Sequence, residues 1–239
     1  MNTPQHSALG QASHYAQTRD PSLLYPIARA QGRAELGLVG KLPFVGLDLW
    51  NAYEFSWLDP RGKPHVAMLE LRVGADSPAL IESKSLKLYL GSYAQTRMAD
   101  TDALLKYLNA DLSAAAGTPI DLQLIRATQF ANQQISELHG QVIDDQSLDI
   151  DTYGPPDPSL LHVDSHAAPQ QQTLVSHLLK SNCPVTGQPD WASVQIEYVG
   201  APIDPASLLR YIVSFRQHSG FHEQCVERIF VDLMERCAP

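Results

Sequence analysis

The chain has 239 residues, of which 44% are hydrophobic and 18% are charged. This composition supplies enough apolar material for a packed core and too little charge for a disordered chain. The formal net charge of -9 argues against nucleic acid or an anionic membrane as the main partner. No apolar stretch reaches the roughly 20 residues of a membrane-spanning helix, and the N-terminus lacks an apolar segment of the signal-peptide type. We therefore expect a cytoplasmic protein with one large domain or two smaller ones.

The first half of the sequence predicts the order strand, strand, helix, helix, strand. Residues 1–40 are polar and rich in small side chains, which indicates an extended N-terminal segment. A long strand follows from Phe44, with a bulge near Asn51, and residues 65–73 alternate as its hairpin partner.

Apolar spacings of three and four then predict two helices, over residues 83–97 and 101–116, with Gly117 ending the second. Residues 120–127 alternate as a further strand.

Residues 144–172 are acidic and proline-rich, which predicts a linker and a domain boundary near residue 155. We expect a first domain over residues 41–155 and a second over 156–239.

The second half predicts the same plan without its return strands. Strands are expected over residues 173–179 and 191–199, and Pro205 opens a helix as a first-turn proline. Another helix is predicted over 221–237. Its expected inward side chains are Val226, Ile229, Phe230 and Leu233.

The chain has three cysteines, Cys183, Cys225 and Cys237, and no CxxC pair. This sparse, odd set indicates reduced thiols and argues against a thiolate zinc site. A GxGxxG turn, a phosphate-binding P-loop, a GxSxG elbow and an HExxH helix are all missing from the sequence. An enzyme built from this sequence therefore uses another kind of site.

Cys183 is the strongest candidate for reactive chemistry. It lies in a turn-rich loop between two predicted strands, and Asp190 follows seven residues later. A thiol beside an acid is suited to nucleophilic addition with proton donation. The alternative interpretation, favoured by spacing alone, is a packed Cys183 with Asp190 capping the turn.

Two helix starts carry further candidates. Residues 82–87 place Glu82, a possible capping Ser83 and two lysines at a strand-to-helix junction, which suits an anion such as a phosphate. Residues 221–224 place Glu223 where it can pair with N–H donors of a guanine-like ring. An ordinary helix cap and a first-turn carboxylate are the commoner interpretations of these patterns.

Together these segments resemble one family. Residues 82–89, Glu-Ser-Lys-Ser-Leu-Lys-Leu-Tyr, are similar to the signature stretch of the QueF nitrile reductases of queuosine biosynthesis, a tRNA modification pathway. Residues 182–190 resemble that family's nucleophile loop, and residues 221–227 resemble its substrate-binding helix start. The resemblance runs from about Leu42 to Pro239 and matches the long form of the family.

The resemblance implies an NADPH-dependent oxidoreductase that reduces the nitrile 7-cyano-7-deazaguanine to a primary amine. Cys183 would form a covalent thioimidate, Asp190 would protonate its nitrogen, and no metal would be required. The implied substrate-binding residues are Ile81, Glu82, Ser83, His222 and Glu223. The implied NADPH-binding residues are Ser83 and Lys84.

The implied fold is α+β, with two tandem tunnelling-fold domains, antiparallel sheets and paired helices on one face. A homodimer is expected, with no nucleic acid bound directly. Long family members continue beyond the position that matches Pro239, so we also expect a truncated second domain with an open sheet edge. The alternatives are a single α+β domain, a tunnelling-fold protein that binds a purine- or pterin-like ligand without chemistry, and an inactive fragment.

Overall fold

The chain divides into two compact units, Met1–Gln134 and Ile135–Pro239. The structure is a computed structural model that describes residues 6–7 and 15–239. Both units combine α-helices with mainly antiparallel sheets, which confirms the α+β class. The unit boundary lies earlier than the domain boundary predicted near residue 155.

The first unit packs two helices against a three-stranded antiparallel sheet. Its described elements are β1 (Pro26–Ala28), α1 (Arg29–Glu35), β2 (Leu47–Leu58), β3 (Pro64–Gly74), β4 (Ala79–Ile81), α2 (Ser83–Gly91), α3 (Thr101–Ala116) and β5 (Asp121–Arg126). The sheet has the order β2-β3-β5, and β1 pairs separately with β4. Buried side chains of α2 and α3 meet those of β2 and β3 in one hydrophobic core.

The N-terminal segment and α2 differ from their predictions. Residues 26–35 form a strand and a short helix instead of extended chain. Helix α2 ends at Gly91, well before residue 97, because the chain turns and Tyr93 packs edge-on against Phe55 in the core. Apolar periodicity therefore continued past the end of the helix.

The remaining predictions for the first unit are close to the structure. Helix α3 has the predicted bounds, because the Asp100 side chain accepts a hydrogen bond from the Ala103 amide and Gly117 ends the helix with a φ of 73°. The predicted bulge in β2 appears as a register shift between Ala52 and Phe55.

The second unit contains a hairpin and two helices. Its described elements are β6 (Gln141–Val142), β7 (Gln170–Asn182), β8 (Pro189–Gly200), α4 (Pro205–Ser214) and α5 (His222–Cys237). β7 pairs antiparallel with β8 and parallel with the short β6. The prediction of an inward α5 face is right for Ile229 and Leu233 but wrong for Val226 and Phe230, which are exposed.

The predicted linker, residues 144–172, packs in part against the second unit. Ile143, just before it, and Leu161, within it, are buried in the hydrophobic core of the second unit. The polar composition of the segment concealed the core contact of Leu161.

A pentapeptide, Asp-Pro-Ser-Leu-Leu, occurs once in each unit, at residues 20–24 and 157–161. In both copies the aspartate caps a short 3-10 turn, with its carboxylate accepting from the serine amide at 3.0 Å and 2.9 Å respectively. The repetition is visible in the letters of the sequence, although a comparison of element order alone does not detect it.

Each pentapeptide is attached to a helix end in the same way. The Asp20 amide donates to Ser92 Oγ at 3.1 Å, and the Asp157 amide donates to Ser214 Oγ at 3.1 Å. Both serines are buried, so each satisfies a backbone donor that would otherwise lack a partner.

Candidate active site

Cys183 lies in the tight turn that joins β7 to β8. Its amide donates to the Gln188 carbonyl at 2.8 Å, and its carbonyl accepts from the Gly187 amide at 3.0 Å. Gly187 has a φ of +67°, a conformation that favours glycine. The sulfur is partly exposed and accepts a weak contact from the Thr186 amide at 3.5 Å. The turn therefore holds the thiol at the surface.

Asp190 stands beside this turn because of the hairpin register. It pairs across the ladder with Ser181, two residues before Cys183. Its side chain is partly buried. The sequence interval of seven residues thus becomes a short separation in space.

The start of α5 is attached to the same end of β7. The Asn182 amide donates to the His218 carbonyl at 2.8 Å, and the Gly220 amide donates to the Asn182 carbonyl at 3.1 Å. Two residues after Gly220, α5 begins with His222 and Glu223. The second unit therefore gathers four of the predicted site residues around the end of one hairpin: Cys183, Asp190, His222 and Glu223.

Cys225, one turn into α5, is a buried thiol in contact with the same region. Burial is the main cause that raises the pKa of Cys225, to about 11, and the negative charges of Glu223 and Asp190 add to it. A side-chain hydrogen bond with Ser181 acts in the opposite direction. The Cys225 thiol therefore lies near both Glu223 and Asp190.

The predicted residues of the first unit lie where β4 meets α2. Ile81 and Glu82 are buried, and the Glu82 carboxylate accepts from the amides of Lys84 at 2.6 Å and Ser85 at 2.8 Å. Glu82 is thus the N-cap of α2, and the prediction of Ser83 as the cap is wrong. The carboxylate already occupies the helix-start amides that we predicted for an anion.

Ser83 is exposed at the first position of α2 and lines a groove of about 550 Å³. Lys87, Trp50 and Tyr53 line the same groove. A hydroxyl, a cation and aromatic rings are groups that can contact parts of a dinucleotide. Lys84 is half-buried next to Ser83.

The sequence did not predict a cationic contact around the hairpin that carries Cys183. Lys180 Nζ donates to Asn182 Oδ1 at 2.6 Å and to the Arg216 carbonyl at 2.8 Å. The Arg216 guanidinium lies 5.3 Å from the ring centre of Trp191. The only signal in the sequence was a basic and an aromatic residue on either side of the predicted loop.

Within the described residues, no group of three or more His, Cys, Asp or Glu side chains is arranged to hold a metal ion. None of the helices in this part of the chain is both long and apolar enough to span a membrane.

Comparison with known proteins agrees with the motifs. Residues 15–124 match a family model described as nitrile reductase, 7-cyano-7-deazaguanine-reductase N-terminal, and residues 189–239 match one described as QueF-like protein. NADPH-dependent 7-cyano-7-deazaguanine reductases of Burkholderia multivorans and Burkholderia vietnamiensis are each 56% identical over 236 residues, which is 99% of this chain and 86% of the relative. The protein of the same name in Burkholderia orbicola is 56% identical over 238 residues, with the same coverage of both chains. The chain belongs to the 7-cyano-7-deazaguanine reductase family.

Proposed function

We propose that this protein uses NADPH to reduce the nitrile of 7-cyano-7-deazaguanine to a primary amine, in the biosynthesis of queuosine for tRNA. The observation that carries the proposal is the 56% identity, over 99% of the chain, to relatives named for that reaction. The grouping of Cys183, Asp190, His222 and Glu223 around one hairpin end supports it, because the reaction needs a nucleophile, an acid and a ring-binding group together.

Cys183 is the proposed nucleophile. A nitrile carbon is a weak electrophile, and a soft thiolate is suited to capturing it. A sulfur lone pair forms the S–C bond, one π pair of the C≡N bond moves to nitrogen, and that nitrogen takes a proton. The net change is addition of the S–H bond across the nitrile to give a thioimidate. The partly exposed sulfur, held in a hydrogen-bonded turn, supports this role.

Asp190 is the proposed acid that protonates the nitrogen. A donor must lie within hydrogen-bond reach of the atom on which charge develops. The pairing of Asp190 with Ser181, at the base of the turn that carries Cys183, supports this role. NADPH, when bound, supplies hydride, and two hydrides convert the nitrile carbon to that of an amine.

Glu223 and His222 are proposed to hold the purine-like ring. A carboxylate accepts hydrogen bonds only, so Glu223 matches the N–H donors of a guanine-like edge. For the first unit we propose substrate contacts from Ile81, Glu82 and Ser83. Ser83 and Lys84 are proposed to contact NADPH.

We further propose that the chain contains two tandem tunnelling-fold domains, one within each compact unit, and acts in the cytoplasm as a homodimer. The pentapeptide repeat and its matching attachments to Ser92 and Ser214 support the internal duplication. The twelve-residue strand β8 supports self-association, since β7 is its only pairing partner in the described chain.

The proposed function is tested by the covalent adduct. The purified protein is mixed with 7-cyano-7-deazaguanine without NADPH, and its intact mass is recorded under conditions that preserve a thioimidate. We expect a gain of one ligand mass in the unchanged protein and none in Cys183→Ala. NADPH added to the adduct is expected to release the product from Cys183, with oxidation of the cofactor followed by its absorbance.

Cys237→Ala is the matched control, because it removes a buried thiol far along α5 from the nucleophile turn. We expect this variant to form the adduct. Ligand binding without any adduct in the folded, unchanged protein would contradict the proposal and favour a non-catalytic binding protein.

A further inference from the structure

Two cations and an exposed indole surround the nucleophile hairpin on one side. Trp191 is 56% exposed and carries the Arg216 guanidinium against its ring. Lys180 is the direct ladder partner of Trp191, so the two side chains share one face of the hairpin. Lys180 also holds the Arg216 backbone through a 2.8 Å hydrogen bond. We call Lys180, Trp191 and Arg216 the cationic surface.

The positive charges of this surface are not neutralised within the described chain. The polar contacts of the Lys180 ammonium are an amide oxygen and a backbone carbonyl, both uncharged. Among described residues, neither Lys180 nor Arg216 forms an ion pair with a carboxylate. In a chain of net charge -9, two adjacent cations of this kind are suited to an anionic ligand.

The surface is adjacent to both catalytic candidates but faces away from one of them. Asn182, which accepts from Lys180, directly precedes Cys183, and Trp191 directly follows Asp190. Successive strand residues point to opposite faces, so Asp190 and Trp191 lie on different sides of the hairpin. Cys183 lies in the turn, where the two faces meet. A ligand can therefore reach Cys183 from the cationic surface while the substrate ring occupies the opposite face, on which Asp190 lies.

We propose that Lys180, Arg216 and Trp191 bind NADPH, with the cations pairing with a phosphate group and the indole stacking against a flat ring of the cofactor. The inference rests on the proposed function and assigns a cofactor-binding role to residues of the second unit. A guanidinium pairs with phosphate through two parallel N–H bonds, and an indole offers a large apolar face at low entropic cost. The shared chemistry is phosphate, either the pyrophosphate or the 2′-phosphate.

The first test is Arg216→Ala. The Arg216 residue is exposed and its guanidinium contacts the Trp191 indole, so the variant is expected to fold normally. Loss of a charge-assisted contact is expected to raise the KM for NADPH, and the Kd for NADP⁺ measured by calorimetry, about 10- to 100-fold. Adduct formation at Cys183 without NADPH is expected to stay unchanged. Arg216→Lys, which keeps the charge but loses the planar fork, should lie between the two.

Arg236→Ala is the matched control, since it removes an exposed arginine from the last turn of α5. Its affinity for NADP⁺ is expected to equal that of the unchanged protein. Trp191→Ala should weaken binding of NADP⁺, whereas Trp191→Phe should largely preserve it.

NAD⁺ distinguishes the two phosphates. If Arg216→Ala weakens NADP⁺ and NAD⁺ alike, the surface binds the pyrophosphate, and if it weakens NADP⁺ alone, the surface binds the 2′-phosphate. Unchanged Kd values for both dinucleotides in Arg216→Ala and in Lys180→Gln would overturn the proposal. Calorimetry does not depend on turnover, so a failed adduct experiment would contradict the proposed function and still leave this surface tested.

Discussion

The hydrogen bond between Tyr211 and Asp232 links α4 to α5, the helix that carries His222 and Glu223. The phenol donates to Asp232 Oδ2 at 2.6 Å, and both residues are buried. Tyr211→Phe removes the donor and leaves the carboxylate without it. Hydrogen bonds to charged groups contribute about 1.5–3 kcal/mol, so we expect unfolding at pH 7 to become easier by about 2 kcal/mol. For a chain of this length that corresponds to about 4–8 °C in Tm.

The loss is expected to depend on pH. Burial raises the pKa of Asp232 above its usual value of 3.8, and the Tyr211 hydrogen bond opposes that increase. Tyr211→Phe therefore raises the pKa of Asp232 further. A raised carboxyl pKa gives stability that is present below the unfolded value and is lost as pH rises through the folded value. The free energy of unfolding of Tyr211→Phe should thus be clearly lower than that of the unchanged protein at pH 7. Near pH 4 the two values should be closer.

Urea unfolding at both pH values measures this difference. Tyr89→Phe is the matched control, because Tyr89 makes the corresponding bond to Asp111 at 2.7 Å, and Asp111 keeps a second partner in Arg19 at 2.8 Å. We expect a smaller loss in Tyr89→Phe than in Tyr211→Phe. Equal losses in the two variants, or a Tyr211→Phe loss that is the same at both pH values, would refute the reasoning.

Three further predictions concern the second unit. Iodoacetamide should alkylate the partly exposed Cys183 before the buried Cys225 and Cys237, as peptide mass mapping would reveal, and equal labelling of all three would contradict the burial. Because the pKa of Cys225 is raised from 9.0 to about 11, its contribution to stability should be lost as pH rises through that interval, and Cys225→Ala should show a smaller alkaline loss in urea titrations. Ile229→Ala should lower the free energy of unfolding by about 2–5 kcal/mol, whereas Val226→Ala, at a 56% exposed position of the same helix, should change it by less than about 0.5 kcal/mol.

Elements with explicit end signals could be predicted from the sequence, and elements that end for tertiary reasons could not. Asp100 and Gly117 define α3 at both ends through local hydrogen bonds and backbone conformation. Helix α2 has no such stop at residue 97, and its apolar spacing continues to Tyr93, which is buried by contacts with the sheet after the helix has ended. The apolar spacing of a sequence reflects which side chains are buried, and here a side chain beyond the end of α2 is also buried.

The sequence could predict that some of the candidate site residues lie close together, but it could not predict how all of them are arranged in space. Cys183 and Asp190 lie within one hairpin, so a turn between two strands was enough to expect them close together. The approach of His222 depends on the bridge between Asn182 and Ser219, which consists of backbone groups that any residue supplies. To predict Glu82 as the cap, the first residue of α2 has to be known. The composition of residues 82–87 does not fix that residue.

The turn of the β2–β3 hairpin differs from the turn of the β7–β8 hairpin in what its first side chain contacts. Asp59 follows β2 as Cys183 follows β7. Its carboxylate accepts hydrogen bonds from the amides of Arg61 at 2.8 Å and Lys63 at 2.9 Å. The side chain that follows β2 thus binds the backbone of its own turn, whereas the side chain that follows β7 is a partly exposed cysteine. Asp59→Cys would therefore remove both of these hydrogen bonds, so this turn would have to lose its side-chain contacts before it could offer a thiol.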